Sequence, residues 1–548
     1  MLLVLVLLVL NTIYLGQLIT KKLEYFMKNY KYIALFLLSL GFISCEESND
    51  FEAIAEETVE TVELNTNGLD FSKYVSIGAS FTAGFTDGAL FIGAQENSFP
   101  NILAGKFSAE FNQPLMSDNI GGFILNGNVL QAPRLIFNGT VPQRLPAKPT
   151  TVLGARASGT SFNNYGIPGA KSFHLTFPGY GTLNPYFGRM ASSATATVLG
   201  DAAAQNPTFF TLSEVGGNDV LGFATSGGYN TATSTNAIYQ SDNTVSPAAY
   251  GANDITNTDV FASIFSGMVT QLTASGAKGV VATVPDITLL PFFNTVPNDA
   301  LELDAATAAS LTGFFQAVSG IFIQGAIGQG VPPAQAQELG AQYALTFTEG
   351  KNRWVIDVPV TQTNPLGFRQ MTEDELLVLT IDQGALAQGY GSVALSPAVL
   401  QILGKLQAGA QITPQEGGMV LAAVNGIDDK DALDTDELAS IKTATDSYNA
   451  TIKAIASSNN NVALVDLNEI LEEAAMGIQF DGYTMTTSLV TGGLVSLDGI
   501  HLTPRGYALM ANKILAAMDA KFGSNFTTAT DGLAKAGDYP TNFSPMLR

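Results

Sequence analysis

Residues 73–84 read KYVSIGASFTAG. The first six form a short run of apolar and β-branched residues stopped by Gly78, which predicts a strand. Ser80 follows on a tight, glycine-flanked turn that leads into a helix. The same order of run, turn and helix recurs along the chain. PTFFTLSEVGGND (207–219), AKGVVATVPD (277–286) and NVALVDLN (461–468) each contain an uninterrupted apolar run. Such runs are expected of strands covered on both faces. Helical spacing appears between them, at Phe261, Ile264, Met268 and Leu272, with Gly276 as a stop. Asp434 and Glu437 form a capping box ahead of Leu438, Ile441, Tyr448 and Ile452. The last helix opens with Thr503 as cap and Pro504 at its first position. Alternation of this kind predicts an α/β fold with a parallel sheet flanked by helices.

Two intervals, about 108–160 and about 292–433, are too long to be simple loops and are read as insertions. In the second, Phe314, Phe315, Phe322 and Ile323 are open to two readings, the lining of a lid or the insertion's own small core. The chain has 548 residues, 46% of them hydrophobic, so a large core needs no staples. Asp and Glu number 48 against 25 for Lys and Arg, a net charge of -23. Polyphosphate repels such a chain, which argues against a nucleic-acid partner. The run DDKDALDTDE lacks the glycine and spacing of a calcium loop and reads as a solvated helix start.

Cys45 is the single cysteine, so no disulfide framework exists. It ends a segment that begins at Met27 with Lys28 and Lys31, followed by a short apolar run and Ser44. That order is a secretory signal, too short to span a bilayer. It resembles a bacterial lipoprotein signal, which implies lipidation at Cys45 and attachment to the cell envelope, at the outer membrane, through an N-terminal lipid anchor. Residues 1–26 are apolar without a basic start, and translation is expected to begin at Met27; a membrane helix is the alternative. Residues 1–45 are thus leader, and 46–68, acidic and poor in aromatics, read as a flexible tether. Acidic residues directly after the cysteine resemble surface-export signals of some bacterial lipoproteins. The folded domain is expected over 69–525, with 526–548 as a tail.

Ligands bind beyond the carboxyl ends of the strands in an open parallel sheet, so the residues there are the ones to read. Ser80 follows the first run. NNYGIPGAKS (163–172) is a turn with two glycines. VGGND (215–219) places Asn218 after the second run, and SLDGIHLTPRGY (496–507) carries Asp498 and His501, the latter one of two histidines in the chain. These pieces fit one task. A serine hydroxyl becomes a nucleophile when a base takes its proton, and His501 can be that base. Asp498, three residues earlier, can orient the imidazole. The Ser80 N–H, an N–H at Gly169 and the Asn218 amide can receive an oxyanion. His174, in KSFHLTF, is either a substrate contact or structural.

The blocks GAS…TAG, NYGIPG, GGND and DGIH, in this order from about Phe71 to Phe522, resemble the signature blocks of the SGNH hydrolases, the GDSL esterases and lipases. The resemblance implies a flavodoxin-like three-layer α/β/α sandwich with a central parallel sheet. It implies Ser80, Asp498 and His501 as catalytic triad, Ser80, Gly169 and Asn218 as oxyanion hole, and no cofactor or metal. The implied substrate is an acyl ester, either a lipid or fatty-acyl ester or an acetylated glycan. One departure stands out, because Ala79 occupies the position of the family's aspartate. A non-catalytic lipoprotein that uses the same fold to bind glycan or lipid is the alternative.

Overall fold

The computed structural model describes residues 61–548. Cys45, Met27, the leader and most of the acidic segment lie outside the described residues. At the centre is a sheet of β1 (Tyr74–Gly78), β2 (Asn164–Gly166), β3 (Phe209–Leu212), β4 (Lys278–Ala282) and β5 (Val462–Val465). Every pairing is parallel and the spatial order is β2-β1-β3-β4-β5. Side chains of β1 and β3 are buried along their whole length, which requires cover on both faces.

The main helices are α1 (Ser80–Ala83), α2 (Phe99–Phe107), α3 (Val198–Ala203), α4 (Gly217–Thr225), α5 (Thr258–Thr273), α6 (Ala305–Gly328), α7 (Thr435–Ser458), α8 (Leu467–Met476) and α9 (Pro504–Phe522). α2 packs on α9, α5 packs on both α3 and α7, and α7 and α9 both lie against β4 and β5. The expected caps are formed. The Thr503 side chain accepts the Gly506 N–H with Pro504 at the first position, and Asp434 and Glu437 close a capping box on α7.

β2 is a strand that pattern alone does not reveal. It has three residues, read from sequence as part of a glycine turn, and it pairs with β1 as Ser76↔Asn164, Ile77↔Tyr165 and Gly78↔Gly166. A Cβ at Gly166 would lie 2.1 Å from Ala83 N and 2.6 Å from Thr82 C, so only glycine lets β2 approach α1 this closely. Gly166→Ala is therefore expected to destabilise the fold by about 3 kcal/mol, the upper end of overpacking, as measured by urea unfolding.

The interval 108–160 contributes two antiparallel hairpins, Phe123–Leu125 with Asn128–Gln131 and Leu135–Phe137 with Pro142–Arg144. Within the interval 292–433, Phe314 and Phe315 on α6 are buried with Tyr343, Phe347, Phe368 and Val420, and Phe322 packs against them. These aromatics thus form a core of the segment's own.

Both ends of the folded part extend further than composition suggests. Val62 N donates to Thr530 Oγ1, Asn65 N to Asn525 Oδ1, and Asn67 Nδ2 to the Phe522 carbonyl. Residues 62–68 are therefore not part of a flexible tether, because backbone groups of Val62, Glu63 and Asn65 and the Asn67 side chain bond to 522–530. The stretch 526–548 is likewise no loose tail. Phe526, Ala534 and Ala536 are buried in the main core, and the buried Arg134 donates to the carbonyls of Ser544 and Leu547.

Candidate active site

The first three strands in chain order set out three of the candidate residues side by side. β1 ends at Gly78 and Ser80 opens α1; β2 on one side leads to Gly169; β3 on the other leads to Asn218 at the start of α4. In this strand order the chain reverses direction of winding at β1 and β3, where a crevice forms beyond the strand ends. Ser80 is 7% exposed at its mouth. Gly169 is exposed, with φ +79, and a Cβ there would meet nothing within 4 Å. Asn218 Nδ2 donates to the Ala170 carbonyl at 3.0 Å, which ties the Gly169 turn to α4. An amide nitrogen carries two hydrogens, so one remains for a ligand. Among the described residues, no hydrogen bond uses the N–H of Ser80 or of Gly169.

Asp498 and His501 arrive from the far end of the sequence, on the turn before α9. His501 Nδ1 lies 2.9 Å from Asp498 Oδ2, and the two side chains are 12% and 11% exposed. The same Oδ2 accepts the Gly88 N–H at 2.7 Å. Oδ1 accepts from Ser496 Oγ and from the N–H groups of Ile500 and His501. Burial alone would raise the Asp498 carboxyl; the His501 charge and these hydrogen bonds outweigh it and hold the group well below the usual carboxylate range. An ionised carboxylate only accepts, so Nδ1 carries a ring hydrogen, and in the neutral imidazole Nε2 is the nitrogen with the lone pair.

A run of long-range hydrogen bonds fastens this turn to the segment just after α1. Thr86 Oγ1 donates to the Leu502 carbonyl, Asp87 N to Ser496 Oγ, Leu497 N to Asp87 Oδ1, and Tyr507 Oη to the Phe85 carbonyl. The imidazole consequently sits beside α1, with ring centroids 4.6 Å from Phe85 and 5.8 Å from Phe81, the residue next to Ser80. Among the described residues no hydrogen bond joins Ser80 Oγ to His501. Such contacts are commonly loose without substrate and tighten when it binds.

Two acidic side chains at the site escaped sequence reasoning. Asp87, buried and with φ +53, accepts the Leu497 N–H on its carboxylate and donates its own N–H to Ser496 Oγ; burial, with the neighbouring Asp498 charge, pushes its carboxyl up to about 7. Glu214, just beyond β3, accepts the Ala79 N–H at 2.6 Å. The available signals were the Asp87-Gly88 turn pair and an acid at the end of an apolar run. His174 lies elsewhere in role, since its Nδ1 accepts the Lys171 N–H and its ring stacks on Tyr180 at 4.5 Å. Burial lowers it to about 4, so it stays neutral.

A small apolar cleft, with room for about 50 Å³, lies next to the site. Phe81, Leu290, Leu467, Leu471, Leu502 and Met510 are among its walls, so it touches the chain neighbours of both Ser80 and His501. Phe292 N donates to the Gly499 carbonyl, which brings the start of the long 292–433 interval to the rim of the Asp498–His501 turn. Comparisons with protein-family models, with curated proteins and with solved structures gave no match to this chain.

Proposed function

We propose that the protein is a serine ester hydrolase of the SGNH (GDSL esterase/lipase) type, built on a flavodoxin-like three-layer sandwich. The observation that carries the reading is the half-buried Asp498–His501 hydrogen bond, fastened through residues 85–88 to the helix whose first residue is Ser80. Ser80 Oγ attacks the ester carbonyl while His501 Nε2 takes its proton, and the carbonyl π electrons move onto oxygen. That oxyanion is received by the N–H groups of Ser80 and Gly169 and by the free Asn218 amide hydrogen. Collapse expels the alcohol, which leaves with the proton from His501, and an acyl-Ser80 ester remains. Water, deprotonated by His501, repeats the attack and releases the carboxylic acid. Asp498 holds the ring in the required tautomer throughout and stabilises its positive charge.

The substrate is an acyl ester, a lipid or fatty-acyl ester or a glycan acetyl group, and the apolar walls of the small cleft beside Phe81 and Leu502 suit the acyl chain of the first. The signal-like segment ending at Cys45 supports a lipid-anchored place in the bacterial envelope, at the outer membrane.

Turnover of an aryl-ester series from acetyl to long-chain acyl tests the reading. The purified protein is expected to release free acid, with longer acyl chains preferred. Asn218→Ala should lower kcat by about 100- to 1,000-fold, the usual effect of losing one oxyanion donor. A folded protein that hydrolyses no member of the series is instead a binding lipoprotein.

A further inference from the structure

The helix that begins with Ser80 has four residues and no side-chain cap of its own. Its cap position is Ala79, whose methyl group accepts nothing, so the N–H groups at this buried helix start need an acceptor from elsewhere. Glu214 reaches across from the end of β3. One oxygen, Oε1, accepts both the Ala79 N–H at 2.6 Å and the Thr82 N–H at 2.8 Å, and Oε2 accepts Thr82 Oγ1 at 3.1 Å. The Ser80 N–H lies between the two held groups and stays unused among the described residues.

We propose that Glu214 is the positioning residue of the nucleophile turn, a carboxylate lent by the neighbouring strand end that pins the backbone on both sides of Ser80 and leaves the Ser80 N–H free for the oxyanion. The proposal rests on the reading of Ser80 as nucleophile. Three independent features fit it. Glu214 is buried, at 6% exposure. Its backbone is left-handed at φ +45, a conformation that a non-glycine residue keeps only where its surroundings over-determine it. A Cβ at Gly78 would lie 2.9 Å from Oε1 and 2.2 Å from Thr82 Oγ1, so glycine there makes the room that the carboxylate and its partner occupy. Burial raises this carboxyl to about 7, against the lowering effect of its hydrogen bonds from Thr82 and Ala79.

The test compares the full chain with Glu214→Gln, Glu214→Asp and Glu214→Ala by two readouts, amide hydrogen exchange over residues 78–84 and kcat with KM on an aryl ester. Glutamine keeps an acceptor oxygen at the Oε1 position and is expected to retain the exchange protection and a kcat within about fivefold of the parent. Aspartate keeps the charge but withdraws the oxygen. Aspartate and alanine should both lose protection at Ala79 and Thr82, and their kcat should fall about 100-fold with KM nearly unchanged, the effect of a small misplacement at the reacting centre. Aspartate also serves where the alanine variant fails to fold. Protection and kcat unchanged in a folded Glu214→Ala or Glu214→Asp variant overturn the proposal. If the parent hydrolyses no ester, the hydrolase reading fails by itself, and amide exchange still decides whether Glu214 pins the turn.

Discussion

Ser80→Ala and His501→Ala are each expected to lower ester turnover by about a millionfold, and the double variant to be no worse than either. The two side chains act in one step, so removing the second adds nothing once the first is gone. Stability separates them. Ser80 Oγ makes no hydrogen bond among the described residues, so its loss orphans no partner and the melting midpoint should stay near the parent value. His501→Ala also removes a ring in contact with Phe85 at a centroid distance of 4.6 Å, and a lower melting midpoint should accompany it. The Asp498 carboxylate left behind still accepts from Gly88, Ser496, Ile500 and the residue-501 backbone. That keeps the variant folded and the comparison of activities meaningful.

Asp498→Asn should reduce kcat by about 10,000-fold while the binding of substrate changes little. The reason lies in what surrounds the carboxylate. Oδ2 faces the Gly88 N–H and the His501 ring, and Oδ1 faces a hydroxyl and two more N–H groups. An asparagine has one acceptor oxygen, and the crowd of donors around Oδ1 claims it. Its NH2 group then points at Gly88 N–H and at Nδ1. The imidazole answers by moving its hydrogen to Nε2, and the lone pair needed to take the serine proton is gone. The half-buried Gly88 N–H loses its acceptor as well, which costs about 1 kcal/mol of stability. Steady-state kinetics and a denaturant titration of the same variant read both effects.

What the sequence made legible was local. Thr503-Pro504 and Asp434 with Glu437 announce their helices because a cap and its partner sit within one turn of each other. Four of the five strands are short, mainly apolar runs, Ser80 and Asn218 stand just beyond two of them, and His501 stands just ahead of the Thr503-Pro504 helix start. The features that escaped are those made by residues far apart in the chain. β2 is a strand because β1 lies beside it and Gly166 lets α1 come close, not because Asn164, Tyr165 and Gly166 favour extended backbone. Residues 62–68 look like tether by composition, yet Asn65 and Asn67 find acceptors or donors on 522–530, more than 400 positions away. Glu214 and Asp87 are the same case at the candidate site. Each is a lone acid whose meaning depends on which N–H groups the fold brings to it, Ala79 and Thr82 for one and Leu497 for the other. Ala79 gave a further hint, since a turn without its own carboxylate raised the question of where an acceptor would come from.

The most direct measurement is covalent: exposure of the purified protein to a fluorophosphonate probe, followed by intact mass and peptide mapping. The account predicts a single adduct on Ser80, absent in Ser80→Ala and formed far more slowly in His501→Ala. A folded protein that takes up no probe, or one that carries it on a different serine, would contradict the assignment of Ser80 as an activated nucleophile.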